Sequence, residues 1–518
     1  MKDLDEEKRL HLKEISRNAI ASLSITAPTL IQSYMYGTLF YAFSFAGMSL
    51  LIFSFVSYFK INLKLLSPLI IISFYNAVLM VSFGRIFGQF DYLATINATL
   101  PEMLAFITAN RGKIFILVGS TLLFVVYLRY FIWTDRGLKW VTVPTYLNRK
   151  SMLPLLFISL IPFPFAKQQE LLSSYPFACA YDLIIANEFN IKASKYSSLP
   201  YEFRGKPPSE DEYATFILVI GESARRDFFG FNHKGNGLGY SPEMDKLAKE
   251  HPNNLVIFDN YISTGQSTVP SVLTMLSPSG TSDILHSYDK PNLLKLLHGA
   301  GYCVSVIDGQ DCGLINDYFS IAGERHTFMI GSDDQEMVRV VKEKMVSQNA
   351  FIVLHTKGSH IGYCGAGLDN YIRSIRDTDS LLKELFRTII DSRTPTCGWY
   401  VSDHGENIHT GDVHGSGNIT LDELEVPSII MANDIFINKY PKSWKNLNNR
   451  RKYLSSHANL SHTVLGLTNT FPEGYYIPKQ DISSDYFMED ENPLLMPNNM
   501  IPIRYLNVFK AQNAHQQK

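Results

Sequence analysis

The sequence predicts a membrane portion of five helices followed by an α/β domain built on a mainly parallel sheet. Charged residues make up 19% of the 518 residues and aromatic residues 13%, whereas an average soluble protein is about 25% charged. Long uncharged stretches occupy the N-terminal third, and from Tyr213 onward short apolar segments alternate with amphipathic ones. A chain of this length usually forms two or more structural units.

Four apolar stretches predict the five membrane spans. They are Asn18 to Phe59, Leu65 to Gly84, Ile114 to Trp133 and Ser151 to Ala166. A helix rises about 1.5 Å per residue and the hydrocarbon core is about 30 Å thick, so the first stretch is long enough for two spans. The last stretch is short and rich in proline, and its alternative interpretation is a re-entrant segment.

The distribution of basic residues indicates the orientation. Lysine and arginine cluster before the first span, at Lys60 and Lys64, and again between the fourth and fifth spans. Basic loops favour the cytoplasmic side, and five spans place all three clusters there. We therefore expect a transmembrane domain at 1–167, an interfacial helix and linker at 168–212, and a domain outside the cytoplasm at 213–518.

Charge and cysteine content argue against two classes of site. The formal net charge is -2 and no tract is rich in lysine or arginine, so no surface of the kind that binds nucleic acid is expected. The five cysteines form no CxxC pair of a structural zinc site. Because their number is odd, at least one thiol stays unpaired if disulfides form.

Short apolar segments bounded by Gly, Asp, Asn or Pro predict buried strands. They are Tyr213 to Ile220, Leu255 to Ile262, Tyr302 to Asp308, Ala350 to His355, Gly398 to Ser402 and Val426 to Met431. Amphipathic segments between them predict helices at Pro242 to Glu250, Pro291 to His298, Asp334 to Val346 and Tyr371 to Ile390. This alternation predicts a sheet covered by helices on both faces. Ligands of such sheets bind beyond the carboxyl ends of the strands.

Three of these strand ends carry residues suited to a divalent ion. The first strand leads into Glu222, the second into the hydroxyl-rich turn 263–268, and the fifth into Asp403 and His404. One acid after a strand is usually a helix cap, but carboxylates and an imidazole that converge suit zinc. A hydroxyl bound to such an ion loses its proton far more easily than in water, which turns a weak nucleophile into a strong one.

Four motifs together resemble the phosphoethanolamine transferases of Gram-negative inner membranes. They are Gly-Glu-Ser-Ala-Arg-Arg-Asp at 221–227, Gly-Gln-Ser-Thr at 265–268, Gly-Ser-His at 358–360 and Ser-Asp-His-Gly-Glu at 402–406. Their order and spacing match along the whole chain, and the segment from Tyr175 to Phe189 looks like the family's linker. The resemblance implies a sulfatase (alkaline phosphatase-like) fold for the domain at 213–518 and places it in the periplasm.

The resemblance also implies a metal centre and a nucleophile. Glu222, Thr268, Asp403 and His404 are expected to hold Zn²⁺, with Mn²⁺ as the alternative, and Thr268 to attack the donor phosphate. Taken by itself, the turn leaves Ser267 or Thr264 open as the nucleophile.

Three further residues are expected beside the substrate. The resemblance implies that His360 and His414 lie next to the phosphate, where one assists departure of the leaving group or binds a second zinc ion. We expect Gln310, which follows the third predicted strand, to contact the substrate as well. The alternative for either histidine is an ordinary surface loop residue. The simplest interpretation of Asp377 and Asp379 is the solvated face of their helix.

The sequence departs from the family pattern at two positions. Members that act on lipid A carry a lysine soon after the third predicted strand, where this chain has Gly309 and Gln310, and a cysteine often precedes the nucleophile turn, where this chain has Thr264. Both departures resemble the branch that modifies periplasmic glucans.

The resemblance thus predicts a monomeric enzyme of the inner membrane. It would transfer phosphoethanolamine from phosphatidylethanolamine to a periplasmic glucan, the lipopolysaccharide core or lipid A through a phospho-threonine intermediate. The alternatives are a phosphoglycerol transferase or a phosphodiesterase on the same fold. An alternative of another class is a non-catalytic envelope-assembly protein, whose signature would be a missing metal ligand.

Overall fold

The structure is a computed structural model. It describes Ala19, Ser22, Leu23, Ile107 and residues 111–127, 176–199, 201–231, 239–310, 313–320, 325–329, 333–345, 349–360, 364–365, 367–408, 414–415, 419–498 and 502–516. The chain divides into two compact units, one formed by Met1–Tyr92 and Asn110–Ala186, the other by Leu93–Ala109 and Asn187–Lys518.

Most of the predicted membrane portion lies outside the described residues. This holds for the spans at 65–84 and 151–166 and for nearly all of 18–59. The helix Arg111–Tyr127 covers much of the span predicted at 114–133. Among the described residues, no helix has both the length and the apolar character needed to cross a membrane. The five spans and the domain boundaries remain predictions.

The described strands lie in the second unit. They are β1 Gly205–Lys206, β2 Thr215–Gly221, β3 Leu255–Ile257, β4 Tyr261–Ile262, β5 Cys303–Asp308, β6 Arg325–Phe328, β7 Ala350–His355, β8 Thr396–Ser402, β9 Ser428–Ala432, β10 Ser455–Ser456, β11 Phe471–Pro472, β12 Leu494–Leu495 and β13 Ile503–Arg504.

The described helices surround these strands or precede them in the chain. They are α1 Arg111–Tyr127, α2 Pro176–Lys195, α3 Pro242–Glu250, α4 Thr268–Leu276, α5 Leu293–Gly299, α6 Gly313–Phe319, α7 Asp334–Lys344, α8 Leu368–Ile390, α9 Leu421–Leu424, α10 Asp434–Lys439, α11 Pro441–Arg450, α12 His457–Leu467 and α13 Tyr505–Gln516. Short 3₁₀ turns lie at Tyr196–Ser198, Glu210–Glu212, Arg226–Phe228 and Thr281–Asp289.

A seven-stranded sheet in the order β3-β9-β8-β2-β7-β5-β6 forms the centre of the fold. The pairs from β8 to β6 are parallel, and only β9 runs against its two neighbours. The predicted mainly parallel sheet is therefore confirmed. Central strands such as β2 are buried at every residue, as a sheet covered on both faces requires.

All six predicted strands are found, although one of them is interrupted. One strand of the main sheet, β6, is absent from the prediction. Asp259 and Asn260 interrupt the strand predicted over Leu255 to Ile262, because both residues favour turns. The chain therefore leaves the main sheet after β3, and β4 pairs in parallel with β10 instead. The strand β6 was not predicted, since its sequence Arg-His-Thr-Phe lacks an apolar run and it lies at the sheet edge.

The hydrophobic core lies between the sheet and its covering helices. On one face, Ile217 and Val219 of β2 and Ile352 of β7 pack in a cluster with Leu382 and Leu385 of α8. This cluster fixes α8 beneath β2 and β8. Because β2 and β8 are in register, with Gly221 beside Ser402, the residues that follow the two strands emerge side by side.

Candidate active site

The residues predicted as metal ligands meet at the carboxyl ends of β2 and β8. Glu222 directly follows β2, Asp403 and His404 directly follow β8, and all three are buried. Thr268 is the first residue of α4, reached through the turn after β4. The parallel register of two neighbouring strands therefore brings distant parts of the sequence to one point.

One ligand atom from each of Glu222, Asp403 and His404 lies within 4.8 Å of the others. His404 Nε2 lies 3.3 Å from Glu222 Oε1 and 3.4 Å from Asp403 Oδ2. Thr268 Oγ1 donates to Glu222 Oε2 at 3.2 Å and lies 3.5 Å from His404 Nε2. Glu222, Asp403 and His404 thus form one cluster, and Thr268 contacts two of its members, Glu222 and His404.

The hydrogen bonds around this cluster fit a divalent cation. Asp403 Oδ1 accepts from Ser223 N at 3.1 Å and from His404 N at 2.7 Å, whereas buried Asp403 Oδ2 accepts no hydrogen bond in the described part of the chain. His404 Nδ1 lies 2.8 Å from Gly405 O, so it carries the proton and leaves Nε2 free to ligate. Two carboxylates, an imidazole and a hydroxyl are a donor set that suits zinc.

The electrostatics of the cluster agree with a cation site. Burial and the neighbouring charge of Glu222 raise the pKa of Asp403 to about 7. Burial alone would lower the pKa of His404, but Asp403 and Glu222 raise it to about 10. Burial likewise opposes ionisation of Glu222, yet His404 holds the pKa of that carboxyl well below its ordinary value. The carboxylates thus favour a positive charge at His404 Nε2, where a metal would bind.

The hydroxyls of Ser267 and Thr264, the two other candidate nucleophiles, make no hydrogen bond to Glu222, Asp403 or His404 in the described part of the chain. Ser267 Oγ donates to Asn498 Oδ1 at 2.6 Å. Thr264 Oγ1 is buried and has no hydrogen-bond partner in the described regions. Among these three candidates, the hydroxyl of Thr268 is the one bonded to the metal cluster.

The two predicted phosphate histidines lie next to this cluster. The ring of His414 is 4.3 Å from that of His404 and 5.7 Å from that of His360, measured between centroids. Glu406 orients His414, because its Oε2 lies 2.7 Å from His414 Nδ1 and its Oε1 accepts from His414 N at 2.7 Å. His414 Nδ1 is therefore occupied by Glu406.

Gly358 of the Gly-Ser-His motif allows two backbones to approach closely. Its φ is +45°, and a Cβ there would lie 2.8 Å from Glu222 O. The next residue, Ser359, donates its amide to Glu222 O at 2.9 Å. The motif therefore fixes the Glu222 backbone as well as delivering His360.

Gln310 contacts Glu222, one of the predicted metal ligands. Its Nε2 donates to Glu222 Oε2 at 3.0 Å and to Thr356 O at 2.7 Å, and lies 3.2 Å from His355 Nε2. His355 Nδ1 in turn lies 2.9 Å from Asp308 Oδ1. The amide nitrogen is thus engaged by the protein itself, and contact of Gln310 with a substrate remains a prediction.

Sequence reasoning missed or misplaced several supporting residues. Glu406 belongs to the motif at 402–406, but the sequence analysis assigns it no role. His355 ends a predicted strand, and this position is the signal in the sequence that could have identified it as a site residue. The solvated-face interpretation of Asp379 is wrong: this residue is 1% exposed and accepts from the amides of Glu243 and Met244 at 2.8 and 2.9 Å. It caps the start of α3, a partner that the pattern of its own helix cannot reveal.

Comparison with known proteins agrees with this fold. Residues 214–470 match the family model described as Sulfatase. Phosphoethanolamine transferase EptC of Escherichia coli strain RS218 is 23% identical over 345 residues, which cover 57% of this chain and 57% of that protein. The chain therefore spans little more than half the length of this curated relative.

Two solved structures share the fold. The integral membrane protein lipooligosaccharide phosphoethanolamine transferase A (EptA) from Neisseria meningitidis gives a TM-score of 0.62 at 19% identity and covers 90% of this chain and 97% of its own. The periplasmic domain of EptC from Escherichia coli in complex with Zn gives 0.52 at 20% identity, covering 60% of this chain and 97% of its own. At such identities the likeness establishes the fold.

Proposed function

We propose that this protein transfers phosphoethanolamine from phosphatidylethanolamine to an acceptor of the cell envelope, and the match of residues 214–470 to the Sulfatase family model supports this. The observation that carries the proposal is the hydroxyl of Thr268 bonded to Glu222 and next to His404. The relatives are named phosphoethanolamine transferases, which supports phosphoethanolamine as the transferred group. The absence of the family lysine near Gln310 favours a periplasmic glucan as acceptor, with lipopolysaccharide core or lipid A as the alternatives.

Glu222, Thr268, Asp403 and His404 would hold zinc. The unsatisfied Asp403 Oδ2 supports a bound cation, and the likeness to a domain solved with Zn and the imidazole of His404 favour zinc over manganese. When bound, the ion supplies a Lewis acid that favours the alkoxide of Thr268 and neutralises charge on the phosphate oxygens.

Transfer would proceed in two displacements at phosphorus. In the first, Thr268 Oγ1 forms a bond to phosphorus, the bond to the diacylglycerol oxygen breaks, and the proton of the threonine ends on diacylglycerol. In the second, the acceptor hydroxyl oxygen bonds to phosphorus, the bond to Thr268 Oγ1 breaks, and the proton returns to the threonine. His414, oriented by Glu406, and His360 would deliver the proton to the leaving oxygen.

The proposal includes a location. The monomeric enzyme would lie in the inner membrane through five helices within residues 1–167, with a linker at 168–212 and the catalytic domain at 213–518 in the periplasm. The likeness to an integral membrane protein over 90% of this chain supports this arrangement.

Trapping the intermediate tests the function. Purified protein incubated with phosphatidylethanolamine and no acceptor should carry phosphoethanolamine on the peptide that contains Thr268. Thr268→Ala should carry none, Thr268→Ser should carry some, and the matched control Ser267→Ala should be labelled like the wild type. Label from phosphatidylglycerol in place of phosphatidylethanolamine would identify a phosphoglycerol transferase. Acceptor modified at the normal rate by folded Thr268→Ala would refute the mechanism.

The acceptor requires a separate measurement. Mass analysis of glycans and lipopolysaccharide from cells with and without the gene should show phosphoethanolamine missing from one of them. We expect the loss in periplasmic glucans. A loss confined to lipid A would contradict the inference drawn from the missing lysine.

A further inference from the structure

The turn that carries Glu222 has a backbone conformation that is unusual for its sequence. Ser223 is buried and has a φ of +55°, a left-handed conformation that residues other than glycine rarely adopt. Its amide donates to Asp403 Oδ1 at 3.1 Å, and its hydroxyl donates to Glu222 Oε1 at 2.7 Å. The conformation of Ser223 therefore determines where two metal ligands lie relative to each other.

A single hydroxyl from α8 bridges the carbonyl of this residue and the amide of Arg225. Tyr371 donates its hydroxyl proton to Ser223 O at 2.8 Å. The hydroxyl oxygen of Tyr371 also accepts a hydrogen bond from Arg225 N at 2.8 Å. The Tyr371 ring is 3% exposed and packs edge-on against Phe228, with 4.9 Å between centroids. The hydroxyl is thus delivered from the core side of the turn.

We propose that Tyr371 is a positioning residue of the metal centre, whose hydroxyl holds Ser223 in its left-handed conformation and so keeps Glu222 and Asp403 at ligating distance. The inference rests on the proposed function, because it concerns the same metal site. It adds Tyr371, which lies on the core helix α8, to the candidate site residues that follow β2 and β8.

The physical reason is the cost of the alternative. Without the hydroxyl, the buried carbonyl of Ser223 and the buried amide of Arg225 lose this partner, which is unfavourable in a region closed to water. A change in the conformation of Ser223 that exposed them to other partners would also disturb the bond from its amide to Asp403. Side chains that orient metal ligands through such contacts typically change metal affinity ten- to a hundredfold when mutated.

Tyr371→Phe tests the inference because it removes one oxygen and keeps the ring contact with Phe228. Zinc affinity of the metal-free full-length protein, measured by competition with a chromophoric chelator, should fall about tenfold or more. Amide hydrogen exchange of residues 222–226 in the metal-free protein should become faster. The matched control is Tyr288→Phe, since Tyr288 is also buried and donates to a backbone oxygen, Leu314 O at 2.7 Å. It should leave both measurements unchanged.

A second substitution separates the backbone effect from general loss of packing. Both Ser223→Gly and Ser223→Ala remove the serine hydroxyl, but only glycine adopts the left-handed conformation without cost. In the Tyr371→Phe protein, Ser223→Gly should therefore give tighter zinc binding than Ser223→Ala. Equal binding by the two double variants would overturn the inference.

The role of Tyr371 and the proposed transferase activity can fail independently. Wild-type zinc affinity and exchange in Tyr371→Phe, or an equal loss in Tyr288→Phe, would overturn the role of Tyr371 while the transferase activity stands. Wild-type protein that binds zinc but transfers no phosphoethanolamine would refute the proposed function and leave the role of Tyr371 testable by affinity and exchange.

Discussion

Asp403 Oδ2 lies 3.4 Å from His404 Nε2 and accepts no hydrogen bond from the residues that the structure describes. A buried carboxylate oxygen without a partner is unfavourable. A cation bound by both side chains would remove this cost. A metal bound by these two residues would therefore stabilise the folded domain.

We expect added zinc to raise the Tm of the metal-free protein. At a free concentration one hundred times the Kd, the stabilisation is about 2.7 kcal/mol, or roughly 5 °C for a domain of this size. Asp403→Asn should abolish the shift, whereas Asp379→Asn, a buried carboxylate that caps α3, should keep it. Thermal unfolding with and without zinc measures both. A full shift in Asp403→Asn would exclude this carboxylate as a ligand.

Gln310→Ala should weaken zinc binding. Because Gln310 Nε2 donates to Glu222 Oε2 at 3.0 Å, its loss should lower zinc affinity about tenfold and leave KM for phosphatidylethanolamine unchanged at saturating zinc. Chelator competition and steady-state kinetics give the two values. Gln335→Ala, which removes an exposed amide bonded to Asp377 O, is the control. Unchanged zinc affinity with a raised KM would instead support the predicted contact of Gln310 with substrate.

Glu406→Gln should slow protonation of the leaving group. Glu406 Oε2 lies 2.7 Å from His414 Nδ1, so the carboxylate fixes the orientation of the imidazole that is proposed to deliver the proton. The amide has the same shape without the charge, and we expect kcat with phosphatidylethanolamine to fall about a hundredfold. With a nitrophenyl ester of phosphoethanolamine, whose leaving group needs no proton, the kcat of Glu406→Gln should fall much less.

The control for this substitution is Glu425→Gln. Glu425 is a nearby carboxylate that pairs with Arg226, so the change removes the same charge without touching His414. Any change in kcat caused by Glu425→Gln should be the same for the two substrates. Equal losses on both substrates in Glu406→Gln would show that Glu406 supports the site only structurally.

The residues of the candidate metal site could be predicted to lie together because they directly follow strands that the sequence makes recognisable. Glu222, Asp403 and His404 each stand at the end of an apolar run, and parallel strands bring such ends to one edge. The supporting residues are different. Tyr371 lies on a helix, and nothing in the sequence reveals that its hydroxyl meets the turn at Ser223. Such contacts depend on tertiary packing, which the pattern of one segment does not contain.

The five-span prediction can be tested with reporter fusions. Basic clusters place Lys139 in the cytoplasm and Asn370 outside it. A phosphatase reporter should be active when fused at Asn370 and inactive when fused at Lys139, and a cytoplasmic fluorescent reporter should give the opposite result. The same compartment for both positions would contradict an odd number of spans.

Asp379→Asn should change how stability depends on pH. Burial and the charges of Asp245 and Glu243 raise the pKa of Asp379 to about 6, whereas an unfolded aspartate has a pKa of about 3.9. The native state therefore binds the proton more tightly than the unfolded state. Its contribution to stability is fully present below about pH 4 and is lost as the pH rises through 6.

The asparagine is neutral at every pH, so this loss should be absent from the variant. In urea unfolding of the metal-free protein between pH 4 and 7, the wild type should lose more stability with rising pH than Asp379→Asn, because all other titrating groups are common to both. Asp369→Asn, at the exposed start of the same helix, serves as the control and should follow the wild type. A difference between wild type and Asp379→Asn that is constant across this range would show that the pKa of Asp379 is the same in the folded and unfolded protein, despite its burial against the start of α3.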